Sequence, residues 1–240
     1  MPGKLDIIRK QNAKWAKESP YNYCDRWCER CPIAIKQGCR LYLDEIGREV
    51  ANIAHGRESD DPKILEEDLE IMEQKLEALS EENDFFQEPD LSVEEEKEIL
   101  DQIDEVEKKA KAHHLQQATH QYSRKIREFL KEIGFPQKVF SSEIQYHLKT
   151  IAWYHTLIPA KMHRALTGLF EADLHDLEDF ALHDCAAQLD VCRKGVDQSI
   201  GAFKAAAALL ALNSTLTSFL AMLNNINDQI GLIEQDIDEG

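Results

Sequence analysis

The stretch SEIQYHLKTIAWYHTLIPAKMHRALTGL, residues 142–169, decides the fold because its apolar side chains recur every three or four residues. This spacing places them on one face of a long amphipathic helix that begins at Ser141 or Ser142. The single polar residue on the stripe is His155, which is therefore expected to be buried. The stripe consists of Ile144, Leu148, Ile151, His155, Ile158, Met162, Ala165 and Leu169.

The same helical period continues on both sides of this stretch. Residues 115–133 have an apolar stripe, a further helix begins near Asp173, and the last begins after residues 213–215. Sustained period-two alternation of β-branched residues does not occur, so the sequence predicts an all-α protein. Four long helices with short connections predict an antiparallel helical bundle over residues 113–240. Cys185 and Cys192 share one helix face and are expected to be small core residues.

Residues 58–112 predict a projecting arm made of two helices. The first has leucine or methionine at positions 65, 69, 72, 76 and 79, a spacing typical of a coiled-coil seam. Residues 82–92 interrupt it, and Ser92 with Glu95 forms a capping box for the second helix. The seam of the second helix is Ile99, Ile103, Val106 and Ala110. Three domains are thus predicted. Residues 1–57 form N-terminal helices with a small four-cysteine metal module, residues 58–112 form an acidic helical-hairpin arm, and residues 113–240 form the bundle.

Local signals mark several helix ends. Gly56 is expected to cap the helix over residues 41–55, and Gly134 is expected to end the helix that carries the stripe of residues 115–133. Beyond residue 112 the apolar stripe rotates by about 135° relative to the seam of the second arm helix. The sequence therefore predicts either one helix with two partners or a kink near His113.

Nearly all of the excess negative charge belongs to the arm. The chain has a formal net charge of −17, and residues 58–112 contain 22 acidic residues against six lysines. Such a surface repels phosphate backbones, so direct nucleic-acid binding is not expected. A solvated helix face is one interpretation of this charge, and a docking surface for a basic protein partner is the other.

Four cysteines lie within sixteen residues in the string YNYCDRWCERCPIAIKQGC, residues 21–39. The ligands of the predicted site are Cys24, Cys28, Cys31 and Cys39. Both zinc and a [4Fe–4S] cluster take four thiolates. The compact run and the Cys31–Pro32 step favour the [4Fe–4S] cluster, with Zn²⁺ as the alternative. Arg26, Trp27 and Arg30 lie between the ligands, where cations would offset the charge of an anionic cluster.

The spacing of Cys24, Cys28 and Cys31 resembles that of radical S-adenosylmethionine enzymes, in which three cysteines leave one iron open for the cofactor. The resemblance ends at these three residues. That family places the motif after the first strand of a partial barrel, whereas helices surround it here. Cys39 would also close the open iron, so membership of the family is not expected.

The bundle contains a second, weaker candidate site. Eight of the nine histidines fall between residues 113 and 183, accompanied by many acidic residues. The angular positions of His147 and Glu178 around their helices place both beside the buried His155. The three residues together would form a second metal site. The alternative is a hydrogen-bonded packing histidine. Lys161 and Arg164 are expected to pair with acidic residues between 173 and 184.

These observations predict a metal-cluster-containing helical interaction or scaffold protein whose acidic arm docks a protein partner. The alternative is a redox protein or metalloenzyme with a site around His155, so enzymatic activity is left open. No apolar run is long enough to span a membrane. The first fifteen residues lack the apolar stretch of a signal peptide, and clustered cysteines fit a reducing compartment, so a cytoplasmic location is expected. The oligomeric state is left open.

Overall fold

The computed structural model describes residues 3–56, 67, 69–71, 73–74, 92–172, 178–210 and 213–239; the side chains of residues 178–179 and 213–216 lie outside that description. Within these ranges the chain is helical and contains no strand. The helices are α1 (Lys4–Glu18), α2 (Ile33–Lys36), α3 (Arg40–Ala54), α4 (Val93–Ala112), α5 (His114–Glu132), α6 (Ser142–Ala172), α7 (Glu178–Leu210) and α8 (Asn213–Glu239). The prediction of an all-α helical bundle is confirmed.

The chain divides into two compact units. The first comprises Met1–Trp27 and Ile103–Gly240, and the second comprises Cys28–Gln102. The first unit holds the bundle, built from α1 and α5 to α8. The second holds α2 and α3 and most of the segment predicted to form the arm.

The core of the first unit consists of the apolar stripes of its helices, which pack against one another. The predicted stripe of α6 is buried along most of its length, including His155. Cys185 and Cys192 are buried on α7, as expected from their shared face. The largest fully buried side chains are Leu5, Leu115, Tyr122, Ile126, Leu148, Ile151, Ile158, Met162, Leu166, Leu189, Leu223 and Ile226.

Two glycines allow α6 and α7 to approach closely. A β carbon at Gly168 would lie 2.9 Å from the carbonyl oxygen of Ala181 and 3.4 Å from the backbone nitrogen of Cys185. A β carbon at Gly195 would lie 3.0 Å from the ring of Tyr154. Gly168, near the end of α6, thus lies beside the first part of α7, whereas Tyr154, earlier in α6, lies beside Gly195, later in α7. These two helices therefore run antiparallel.

Helix α1 packs across α7 and α8 through an ion-pair network. Arg9 contacts Asp190 of α7 at 2.6 Å and Glu234 of α8 at 2.8 Å. Arg193 contacts the same Glu234 at 2.6 Å. One carboxylate thus holds two guanidinium groups, which ties three helices together. The backbone N–H of Leu5 also donates to Asp238 at 2.8 Å.

The helix ends follow the local sequence signals. Ser92 N–H and Glu95 Oε2 are 2.8 Å apart, and Glu95 N–H and Ser92 Oγ are 3.2 Å apart, which is the predicted capping box. Gly56 and Gly134 have φ angles of +65° and +78°, in the left-handed region that favours glycine. Of the two alternatives for residue 113, the structure has the interruption, because α4 ends at Ala112 and α5 begins at His114.

The arm is described only in part. Residues 57–66, 68, 72 and 75–91 lie outside the described residues, so most of the first arm helix and the connecting loop stay predictions. In the second arm helix, α4, the predicted seam is divided. Val106 and Ala110 are buried, whereas Ile99 and Ile103 are exposed.

Among the described residues, no helix has both the length and the apolar character needed to cross a membrane.

Candidate functional site

The four cysteines of residues 24–39, called here the cysteine segment, occupy three local environments. Cys24 follows a 3₁₀ turn formed by Pro20–Asn22 and belongs to the first unit. Cys28 and Cys31 belong to the second unit: Cys28 begins the 3₁₀ turn Cys28–Arg30 and Cys31 follows it, with Cys31 N–H donating to the Cys28 carbonyl at 3.2 Å. Cys39 is buried and is the residue before α3. All six cysteines of the chain are described, and all are thiols.

Within the described part of the chain, no group of three or more histidine, cysteine, aspartate or glutamate side chains is arranged to hold a metal ion. The four-cysteine site therefore stays a prediction from the spacing of the residues.

Cys24 lies in a tight turn whose backbone points at its sulfur. The backbone N–H of Arg26 donates to Cys24 Sγ at 3.4 Å, and Arg26 has a φ of +52°. The Cys24 Sγ is also 3.8 Å from the carbonyl oxygen of Tyr21. A left-handed conformation is unfavourable for arginine, so the surrounding contacts must hold it. Backbone N–H bonds to cysteine sulfur are a common feature of metal–thiolate centres.

Asp25 joins the turn at Cys24 to the bundle. Its Oδ2 accepts from Tyr154 Oη at 2.5 Å and from Lys194 Nζ at 2.9 Å, while Trp27 N–H donates to Oδ1 at 3.3 Å. Trp153 Nε1 donates to the backbone carbonyl of Asp25 at 3.1 Å. Burial alone would raise the pKa of Asp25, but the bonds from Tyr154 and Lys194 outweigh it and lower the pKa below its ordinary value. Asp25 with these bundle partners is called the Asp25 anchor.

Trp27 extends the same contact with apolar surface. Its ring stacks on Trp153, with centroids 5.3 Å apart, and meets Tyr154 edge-on at 5.8 Å. The side chain is buried. Aromatic pairs in these geometries add stabilisation beyond the area they bury. The residues between Cys24 and Cys28 are therefore fixed on α6 by both polar and aromatic contacts.

A chain of polar side chains between α6 and α7 lies in the neighbourhood of Cys24. Lys161 Nζ donates to Gln188 Oε1 at 2.8 Å, and Gln188 Nε2 donates to Asp184 Oδ1 at 2.8 Å. Arg164 Nε donates to the other oxygen of Asp184 at 2.7 Å. The expected Arg164 pairing is thus present, whereas the direct partner of Lys161 is an amide, because Gln188 stands between it and the carboxylate.

Burial and neighbouring positive charges both affect the pKa of Lys161. Desolvation lowers the pKa of Lys161, and the charges of Arg26 and Arg164 lower it further. Cys24 and Asp184 act in the opposite direction. Lys161 therefore interacts electrostatically with Arg26, with Arg164 and with Cys24.

The candidate second site is centred on His155, the buried histidine of α6. Its Nδ1 is 2.7 Å from the carbonyl oxygen of Ala152, one turn back on the same helix. Burial lowers the pKa of His155, and the charge of Arg127 lowers it further, so the imidazole is neutral near pH 7. His147 is half-buried and lies about 12 Å away along the axis of α6 and about 80° around it.

The third residue of that candidate, Glu178, begins α7, and its side chain lies outside the description. The described contacts of His155 are those of a hydrogen-bonded packing residue. The second metal site, made of His147, His155 and Glu178, stays a prediction.

The sequence did not reveal the Asp25 anchor. Asp25 is an ordinary acid in a charged stretch, and its partners Tyr154 and Lys194 are 129 and 169 residues away. The sequence feature that could have drawn attention to these residues is the position of Asp25 and Trp27 between two cysteines.

Comparisons of the chain with protein families, with curated proteins and with solved structures find no match.

Proposed function

We propose that this chain is a metal-binding helical scaffold protein. Cys24, Cys28, Cys31 and Cys39 ligate one [4Fe–4S] cluster, with Zn²⁺ as the alternative metal. The helical bundle supports this centre, and the acidic segment over residues 58–112 docks a protein partner.

The observation that carries the metal proposal is the environment of Cys24. An arginine held at positive φ turns its N–H toward the sulfur of the first cysteine in a closely spaced set of four. Backbone strain of this kind persists where the surrounding structure imposes it and is common at ligand-binding positions. Hydrogen bonds to sulfur are one of the ways in which proteins tune metal–thiolate centres.

The charges near Cys24 also suit an anionic centre. Four thiolates give either metal centre a negative net charge, and burial of that charge is favourable only with compensation. Arg26, Lys161 and Arg164 supply positive charge in this neighbourhood. Their presence supports the proposal without distinguishing iron from zinc.

The test is metal analysis of the full chain purified without oxygen. We expect a brown protein with four irons per chain for the [4Fe–4S] cluster, or a colourless protein with one zinc for the alternative. The variant Cys28→Ser should lose the metal. The matched control is Cys185→Ala, which removes a buried thiol of α7 and should keep it. A wild-type chain with no bound metal under either condition overturns the proposal.

Partner docking through the acidic segment is tested by removing charge from α4 without shortening it. The variant Glu94→Gln, Glu98→Gln, Asp101→Asn and Asp104→Asn neutralises four exposed acids of the second arm helix. Glutamine keeps good helix propensity, so the helix should remain. We expect a salt-sensitive complex with a basic protein in cell extract to weaken.

The control for that test neutralises exposed acids on the bundle. Glu128→Gln with Asp228→Asn removes charge from α5 and α8 and should leave the complex intact. Equal capture by both variants, or capture that does not depend on salt, contradicts docking through the arm.

A second candidate function, a redox or metalloenzyme site around His155, is favoured by one observation. His155 is buried in the core with a neutral imidazole, the form that binds metals. Iron or manganese that remains bound in Cys28→Ser and is lost on adding His155→Ala would support it. A metal-free Cys28→Ser protein contradicts it.

A further inference from the structure

Three residues, Asp25, Arg26 and Trp27, separate Cys24 from Cys28, and contacts with the bundle fix them. Trp27 stacks on Trp153, and Asp25 bonds to α6 and α7. Arg26 has the positive φ that directs its N–H at Cys24. The conformation of the first cysteine is thus set by side chains that are distant from it in sequence.

Asp25 accepts hydrogen bonds from several parts of the bundle. Its Oδ2 accepts from Tyr154 and Lys194, its Oδ1 from Trp27 N–H, and its backbone carbonyl from Trp153. Its effect on a neighbouring cysteine is to fix the backbone in one conformation.

We propose that Asp25 is the positioning residue of the metal centre, and that Lys194 and Tyr154 set the metal affinity of the cysteine segment through it. This inference rests on the proposed function. In a flexible segment, metal binding must order the ligand backbone, which reduces affinity. The Asp25 anchor orders the Cys24 turn before the metal arrives, so one of the four ligands has a fixed backbone in advance.

The coupling must operate in both directions. If the Asp25 anchor favours metal binding, thermodynamic linkage requires that bound metal stabilise the anchor by the same factor. Metal binding then strengthens the attachment of the Cys24 turn, residues 24–27, to α6 and α7. Loss of the metal weakens it, which makes this attachment sensitive to metal occupancy.

The experiment measures the affinity of the full-length apoprotein for Zn²⁺ alone, by competition with a chromophoric chelator. Four thiolates bind Zn²⁺ whether the resident metal is zinc or iron–sulfur, so the probe suits both cases. Lys194→Met removes the charge at similar length, and Lys194→Arg keeps it. The control is Lys204→Met, an exposed lysine on the same helix.

We expect Lys194→Met and Asp25→Asn each to weaken Zn²⁺ binding roughly tenfold or more, as outer partners of metal ligands do. Lys194→Arg should retain most of the affinity, and Lys204→Met all of it. The double variant Asp25→Asn, Lys194→Met should be little weaker than either single variant, because both changes break one interaction. Bound Zn²⁺ should also raise the melting temperature less in Lys194→Met than in the wild type.

A structural role without coupling predicts a different result. In that case Lys194→Met lowers the melting temperature of the apoprotein and leaves the Zn²⁺ affinity unchanged, which overturns the inference while the metal site stands. Zn²⁺ binding that is absent in the wild type overturns the proposed function and this inference with it. Circular dichroism establishes that each variant is folded. Should Lys194→Met fail to fold, Tyr154→Phe removes a single hydroxyl donor, and unchanged affinity in that variant overturns the inference.

Discussion

Helices α3 and α5 have the same kind of amphipathic sequence and opposite surroundings. Both carry apolar residues at spacings of three and four, yet α5 buries its stripe in the bundle whereas α3 exposes its own. The buried stripe of α5 includes Leu115, Tyr122, Ile126 and Phe129, and the exposed residues of α3 include Leu43, Ile46, Val50 and Ile53. Periodicity therefore indicates which face of a helix is apolar without indicating whether another element covers it.

The difference has an energetic consequence. Full burial of an isoleucine side chain contributes about 1.5–3 kcal/mol relative to leaving it in water. The stripe of α5 realises this contribution within the fold. In α3 the described packing leaves much of that surface in contact with solvent, so its residues contribute less to the stability of the chain.

The largest expected effect comes from truncating matched isoleucines in the two helices. Ile126 is fully buried in α5, and Ile53 is 70% exposed in α3. Ile126→Ala should reduce the free energy of unfolding by about 2–5 kcal/mol, because it leaves a cavity. Ile53→Ala should change it by about 0.5 kcal/mol or less. Urea denaturation followed by circular dichroism measures both, and similar losses in the two variants would contradict the comparison.

The next effect comes from adding a methyl group at one glycine of α6 and one of α3. The change in the free energy of unfolding should have opposite signs at the two positions. In Gly168→Ala of α6, the new methyl meets the Ala181 carbonyl at 2.9 Å, which should destabilise the bundle by about 1–3 kcal/mol. A β carbon at Gly47 of α3 meets nothing within 4 Å. Gly47→Ala should therefore stabilise its helix by about 0.5–1 kcal/mol.

The glycine pair is measured in the same denaturation assay. Gly201→Ala on α7 is the control within the bundle, because a β carbon there also meets nothing within 4 Å. It should behave like Gly47→Ala. Destabilisation by Gly201→Ala would show that a methyl group weakens a bundle helix without any close contact, and it would contradict the steric explanation of Gly168→Ala.

The smallest expected effect is on the pH dependence of stability, for which one carboxylate in each unit is compared. Burial alone would raise the pKa of Glu234, but the bonds from Arg193 and Arg9 outweigh it and hold the pKa below 4.5. The stability that Glu234 contributes is complete above pH 4.5 and disappears as the pH falls through the lowered pKa. The variant Glu234→Gln should lower stability near pH 7 and flatten its decline below pH 4.5, as measured by thermal unfolding.

Glu95 provides the matched carboxylate in the second unit. Its bonds to Ser92 also lower its pKa, but the group is fully exposed. Solvent screens such interactions, so Glu95→Gln should change the acid profile less than Glu234→Gln does. A larger change at Glu95 would contradict the ranking of the two regions.

Features that depend on neighbouring residues were predicted from the sequence. The Ser92–Glu95 capping box, the positive φ of Gly56 and the interruption near His113 all depend on a few consecutive residues. The burial of His155 followed from its place on a long stripe. In each case the signal and its cause lie within one helix or turn.

Features that depend on two distant segments were not predicted. The seam of α4 is half exposed at Ile99 and Ile103, and Lys161 bonds to Gln188 rather than to a carboxylate. The Asp25 anchor joins a turn near the start of the chain to α6 and α7. The periodicity of one helix carries no information about the residue that another helix places opposite it.

The sequence by itself determined the helical class, the positions of several helix ends, the apolar face of each helix and the four closely spaced cysteines. These features follow from backbone geometry and side-chain spacing over short distances. Only the tertiary structure decided which apolar faces are covered and which bundle residues hold the turn at Cys24. Those contacts depend on the distances between helices that are remote in sequence, and such distances are set by the packing of the whole core.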